Sequence, residues 1–219
     1  MTASELIVLS RAGELRQLSP SIRDDDNTLI AFINLGLLEL YKRFALKTEE
    51  ALVTLVDGKT IYSLDGTDTD VSMGNGDYLY LIAAYGESDS HDDYSMDDIT
   101  LPINVEDDIF SINTISYNKV QIPLITQGSV ISLIYVPKPT KVTLNNLDEE
   151  LDISDTFIEA LLNYMGYRGY AAIDNNVQSE NNLYYLEFEK SCNKVRELGV
   201  GIAPDDINMR DRLGSRGFI

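Results

Sequence analysis

One histidine, His91, and one cysteine, Cys192, are all that 219 residues offer for soft-ligand or proton-shuttling chemistry. A covalent hydrolase needs a nucleophile beside a base, and with one His, one Cys and no Ser or Lys in a recognisable nucleophile setting no usual acyl-transfer set can be read from the sequence; one Cys and one His are also poor stock for a structural zinc site, and a single cysteine cannot close an internal disulfide. Carboxylates are plentiful instead. Asp92 and Asp93, Asp97 and Asp98, and Asp107 and Asp108 stand as adjacent pairs in polar stretches, the pattern of a solvated acidic surface. The segment "DGTDTDVSMGNGD" (65–77) invites a calcium reading, but it lacks the D-x-[DN]-x-[DN]-G order and the glutamate at position twelve of an EF-hand loop. Its Gly-Asn-Gly, 74–76, is followed by no Lys-Ser or Lys-Thr and makes no phosphate loop. No catalytic residue, metal ligand or cofactor is nominated, and the chain is expected not to be an enzyme.

Charge narrows the choice of partners. The formal net charge is −19, and thirteen Asp and Glu fall between Lys59 and Lys119 with no Lys or Arg among them. Such a surface repels phosphate and forgoes the counterion release that drives nucleic-acid binding. No stretch approaches the roughly 20 apolar residues of a membrane span. The residues Met1 to Leu9 lack the pattern of a signal peptide, so a cytoplasm-like compartment is expected.

Two segments stand out for assembly. In "NYMGYRGYAAI" (163–173), Gly166 and Gly169 lie one helical turn apart among Tyr164, Tyr167 and Tyr170, although each glycine costs roughly 1 kcal/mol against alanine inside a helix. A close approach by another helix, from the same chain or a neighbour, would offset that cost. With Tyr185, these residues are candidates for helix–helix or subunit packing, because tyrosines spread over several faces cannot all point inward. The second segment, "INMRDRLGSRGFI" (207–219), carries three arginines and one aspartate. Arg210, Arg212 and Arg216 could meet acidic groups while Leu213, Phe218 and Ile219 fill pockets, the make-up of a peptide that orders on a partner.

The elements that must position these segments follow from periodicity. Apolar residues recur at helical spacing over "NTLIAFINLGLLELYKRF", behind Asp24, Asp25 and Asp26, and a shorter helix from Ala3 to about Leu18 should stop before Pro20. From Leu46 the pattern turns to short β-prone runs. "ALVTLV" and "TIYSL" flank Asp57-Gly58, a hairpin signal. Further strands are expected at 78–85, 114–122 and 129–136, and residues 86–98 read as a polar loop. Helical spacing returns behind Ser154, with a last helix at about 179–198 stopped by Gly199. The expected fold is therefore α+β: a helical bundle built from residues 1–45 and 150–200, a small antiparallel β-sandwich or barrel inserted at 46–149, and an extended segment at 201–219.

The order and phrasing of "FINLGLLELYKRFALKTEEALVTLVDGKTIYSL", "LPIN", "SYNKVQIP", "ISLIYVPKP", "LDISDTFIEALLNYMGYRGYAAI" and "ENNLYYLEFEKSCNKVRELG" resemble the head-to-tail adaptor (connector) proteins of tailed bacteriophages. In layout they are similar to the tail tubular protein A of short-tailed phages. The resemblance implies a virion structural protein, assembled in the host cytoplasm, that forms a homo-oligomeric ring, commonly a dodecamer. That ring would bind the portal protein at the portal vertex, offer a platform to the tail or nozzle protein, and extend the channel through which genomic DNA passes without specific binding. The matching position for a portal-docking segment is 207–219. The competing reading is a β-sandwich binding module, for carbohydrate or a protein ligand, of a virion or cell-surface assembly. It would require an aromatic platform, yet Tyr62, Tyr78, Tyr80, Tyr85, Tyr117 and Tyr135 show no shared face by strand alternation.

Overall fold

The computed structural model describes residues 1–74, 77–87, 99–106, 108–123, 130–171 and 178–199. The chain divides into two compact units, Met1–Leu46 with Pro139–Ile219, and Lys47–Lys138. The first is helical and the second is made of antiparallel sheets, an α+β protein whose described strands close no barrel.

In the helical unit, α1 (Ala3–Ala12) begins with a capping box: the Glu5 amide donates to Thr2 Oγ1 at 3.2 Å, and the Thr2 amide donates to Glu5 Oε2 at 2.9 Å. It ends at Gly13, well short of Leu18. The residues beyond turn back on themselves, with the Leu15 amide bonded to the Ser10 carbonyl, so that Leu15 and Leu18 both enter the core. Pro20 starts a helix instead of ending one: it opens the short α2 (Pro20–Arg23), where its missing N–H costs nothing. Asp25 then caps α3 (Asp26–Arg43), accepting from the amides of Asn27 and Thr28. Leu29, Ile33, Leu37 and Leu40 form its buried stripe.

Residues 139–149, expected within the inserted β region, belong to the helical unit: Val142 is buried in its core, and its amide and carbonyl bond to the Asn34 side chain at 2.8 and 2.9 Å. A single 3-10 turn, Asp155–Phe157, behind Ser154 leads into α4 (Ile158–Ala171). The last helix, α5 (Gln178–Glu197), packs on α4 and buries Phe188, Cys192 and Val195; Gly199, at φ +69, follows its end.

The second unit contains two sheets. One orders its strands β3 (Val71–Met73), β1 (Glu49–Thr54), β8 (Val130–Pro137), β4 (Tyr78–Glu87) and β5 (Ile99–Thr100); the other orders β2 (Ile61–Ser63), β7 (Lys119–Gln121) and β6 (Asn113–Ser116). Every pairing between strands is antiparallel. Ala51 and Val53 alternate inward along β1, and Tyr62, Ile112 and Val120 are buried with them in one core.

Two strand expectations are corrected. β1 and β2 do not form a hairpin across Asp57-Gly58, because β1 pairs with β3 and β8 while β2 pairs with β7. The turn carries the chain from one sheet to the other, and the Tyr62 hydroxyl holds it, accepting from the Val56 amide and donating to the Lys59 carbonyl. The run 114–122 is likewise not one strand: Tyr117 and Asn118 break it into the hairpin β6–β7. Residues 88–98 of the expected polar loop, with His91, lie outside the described residues.

Candidate assembly surfaces

On the helical unit, the two glycines of α4 serve two different neighbours. A Cβ built on Gly166 would stand 2.6 Å from Tyr184 Cδ1 of α5, so this glycine lets α5 lie close. One built on Gly169 would meet Leu18 Cδ1 at 2.7 Å and Leu15 Cδ2 at 2.8 Å, side chains of the turns after α1. A third, Gly36 on α3, makes room in the same way for Leu161 and Tyr164 of α4. Its signal was present in the sequence, an isolated glycine inside "NLGLLEL", which only a packing role excuses.

The tyrosines form a connected set across α4 and α5. Tyr164 meets Tyr167 edge-on at 5.7 Å and Phe188 at 5.2 Å, Tyr167 meets Tyr185 at 5.2 Å, and Tyr170 stacks on Tyr184 at 5.2 Å with planes 17° apart. Tyr170 is buried; Tyr164 and Tyr167 are half-buried, and Tyr185 is exposed. Beside them Arg43, at the end of α3, donates to Glu39 at 2.9 Å, to Glu189 at 2.7 Å and to the Tyr185 hydroxyl at 3.4 Å, with its guanidinium 4.7 Å from the centre of the Phe188 ring. Burial disfavours charge on Arg43 and Glu189, but the hydrogen bonds of Arg43 to Glu189, Glu39 and Tyr185, and those of Glu189 to Arg43 and Tyr185, together with the opposite charges, outweigh it, raising the arginine's pKa and lowering the glutamate's. Arg43 thereby ties α3 to α5. The outer face of α5 leaves Leu183 and Leu186 more than half exposed.

Cys192 is buried, and burial pushes its thiol up to about 11, the behaviour of a packing residue. The aspartates of the 65–77 stretch are engaged by the protein itself. Lys59 Nζ bonds Asp68 at 2.6 Å and Asp70 at 2.7 Å, Asp68 also accepts from the Ser63 amide, and Asp65 accepts from Thr67 and Asn118. Among the described residues no three His, Cys, Asp or Glu side chains come together in a way that could hold a metal ion, and no helix is long and apolar enough to cross a membrane.

The second unit brings together aromatics that alternation alone could not align. Tyr78 and Tyr80 of β4 and Tyr117 of the β6–β7 turn line one cleft of about 360 Å³ between the two sheets, with Leu81, Asn104 and Lys138 at its sides. Two features escaped the sequence reading. The pairing of β4 with β8 slips between Tyr78 and Tyr80, a bulge that re-aims the strand, and Tyr117 sits in a turn instead of a strand. Asn104 adopts φ +51, and its side-chain oxygen accepts from the Thr114 amide at 2.8 Å, fixing the cleft wall.

The remaining candidates, Arg210, Arg212, Leu213, Arg216, Phe218 and Ile219, lie outside the described residues. Compared with known proteins, residues 1–206 match the SU10 adaptor protein family. No curated protein matches the sequence.

Proposed function

The chain belongs to the SU10 adaptor protein family, a phage adaptor located at the head–tail junction of the virion, and from that premise we propose that its copies close into a ring between portal and tail. The single observation that carries this reading is the family match across residues 1–206. A closed ring requires two different faces of one subunit to meet in neighbours. Helices α3 and α5, of 18 and 20 residues, are about 27–30 Å long and supply such faces. Tyr164, Tyr167 and Tyr185, and the exposed Leu183 and Leu186 elsewhere on α5, have the residue types of an interface, where tyrosine is enriched. In this reading the residues 1–45 and 150–200 form the body of the ring, and the β region is its inserted module. The ring continues the DNA channel, and the excess of carboxylates keeps phosphates from adhering to its wall.

Segment 207–219 is proposed to dock on the portal, its arginines pairing with acidic groups and Leu213, Phe218 and Ile219 entering pockets. Mass photometry tests the whole reading, using full-length protein and a version ending at Asp206, each alone and mixed with the portal ring of the same phage. The expected result is that full-length chain adds a ring of subunits to the portal and the shortened chain does not. Failure of both to bind would remove the portal–tail placement; equal binding by both would remove only the docking role of 207–219.

A further inference from the structure

The tyrosine-lined cleft is not used by the proposed ring or docking segment, and it has the lining of a recognition groove. Its lining is largely aromatic and aliphatic, with Tyr78, Leu79, Tyr80, Leu81 and Tyr117, and its other polar side chains are Asn104, Thr114 and Lys138. Tyr117, 80% exposed at the tip of a tight hairpin, stands as a ridge. On its other side lies a second, smaller cleft of about 210 Å³, which shares Tyr78, Tyr117 and Lys138 and adds Asp65, Asp77 and Asn118. One lobe is thus apolar and aromatic, and the other is acidic.

The charges of the acidic lobe do not cancel. Lys138 Nζ pairs with Asp77 at 3.2 Å, which leaves Asp65 as an excess negative charge. Hydrogen bonds from Thr67 hold the Asp65 carboxyl below the usual carboxylate range, so it stays ionised at neutral pH. The surrounding unit strengthens the bias: residues 47–138 contain sixteen Asp and Glu against four Lys. An anionic ligand is repelled from this groove, while a cationic side chain is drawn to the acidic lobe. In the aromatic lobe, the rings of Tyr80 and Tyr117 offer flat apolar surface at low conformational cost, over the buried Tyr78.

We propose that this two-lobed groove is a docking site for an extended, basic peptide segment of a partner protein. Apolar or proline residues of the segment lie against Tyr78, Tyr80 and Tyr117, and an arginine or lysine enters the lobe of Asp65 and Asp77. Aromatic-lined grooves take extended apolar and proline-bearing peptides because the preformed backbone loses little entropy on binding. Tyr117, shared by both lobes, sets the register between the apolar residues and the cation.

The test pans a random twelve-residue peptide library against the full-length protein and follows enriched sequences by fluorescence polarisation. Enriched peptides should carry Arg or Lys next to apolar or proline residues, and their affinity should fall as salt rises. Tyr117→Ala, a change at an exposed turn, should weaken them about tenfold or more, the loss typical of an aromatic anchor. Tyr117→Phe, which keeps the ring, should bind nearly as wild type. Enrichment of peptides without basic residues, binding indifferent to Tyr117→Ala, or no enrichment over a blank surface would each overturn the proposal. So would maltotriose or chitotriose perturbing the Tyr117 ring in NMR spectra while no peptide is selected, since the groove would then be a saccharide site. Selection does not require the portal, so failure of the ring reading leaves this result standing on its own.

Discussion

Tyr184 lies flat against Gly166 and stacks on Tyr170, so that one ring fills the space a side chain would need on α4 and covers the next turn as well. Its hydroxyl donates to the Glu14 carbonyl at 3.1 Å, which ties the end of α1 to the α4–α5 pair. The glycine's low helix propensity is offset by contact that no other residue type at position 166 would allow.

Replacing the two glycines of α4 therefore gives unequal results. Gly166→Ala drives a Cβ into the Tyr184 ring, with Cγ, near the ring's point of attachment, only 3.0 Å away, and should destabilise the protein by about 1–3 kcal/mol after any gain in helix propensity. Gly169→Ala meets only the methyl ends of Leu15 and Leu18, which can rotate, so its cost should be smaller. Urea unfolding of both variants and wild type gives the order directly; a larger loss for Gly169→Ala would contradict the packing described.

Arg43 is expected to resist conservative replacement. Arg43→Lys loses the planar fork that reaches Glu39, Glu189 and Tyr185 while covering Phe188, and should cost about 1.5–3 kcal/mol. A double-mutant cycle with Glu189→Gln isolates the α3–α5 term.

The same pair sets an acid dependence. The folded-state pKa of Glu189 is lowered, so its contribution is present above the unfolded glutamate value of about 4.3 and is lost as pH falls through the folded value. The stability gap between wild type and Glu189→Gln, followed by denaturant midpoint, should be widest near neutrality and shrink below pH ~4.

Two tyrosines of the β unit should respond oppositely to loss of the hydroxyl. Tyr62→Phe abandons the Val56 amide and Lys59 carbonyl and should cost about 1–3 kcal/mol. The Tyr80 hydroxyl is buried without a hydrogen-bond partner among the described residues, so Tyr80→Phe should be neutral or slightly stabilising. Burial pushes the Tyr80 phenol up to about 12. Ionisation is thus disfavoured in the folded chain, so stability is unaffected below the unfolded value of about 10 and falls as pH rises towards the folded one, and Tyr80→Phe should flatten the alkaline limb of the stability profile.

Where periodicity acted locally, the sequence foretold the outcome: the buried stripe of α3, its acidic start and the stop at Gly199 were all legible. What it could not supply was pairing between distant segments. Asp57-Gly58 carries the chemistry of a tight turn whether the flanking strands pair together or join different sheets, and only the partners β7 and β8, far along the chain, decide between them. Gly13 ended a helix that Pro20 was expected to end, because Leu15 and Leu18 gain more by burial in the core than by continuing α1. The tyrosine cleft was hidden for a similar reason: a bulge and a turn placed Tyr78, Tyr80 and Tyr117 together, and neither follows strand alternation.

One pairing bears on how such a protein could diversify. Glu49 faces Tyr135 across β1 and β8, so the polypeptide enters the sheet unit and leaves it through neighbouring strands, whose facing Cα atoms are about 5 Å apart. A segment whose two ends lie side by side can be exchanged for another, or for a few linking residues, while the chain on either side keeps its path. The sheets are in that sense an interchangeable cassette: recombination could replace them without rewriting the helical segments that precede and follow them in the chain.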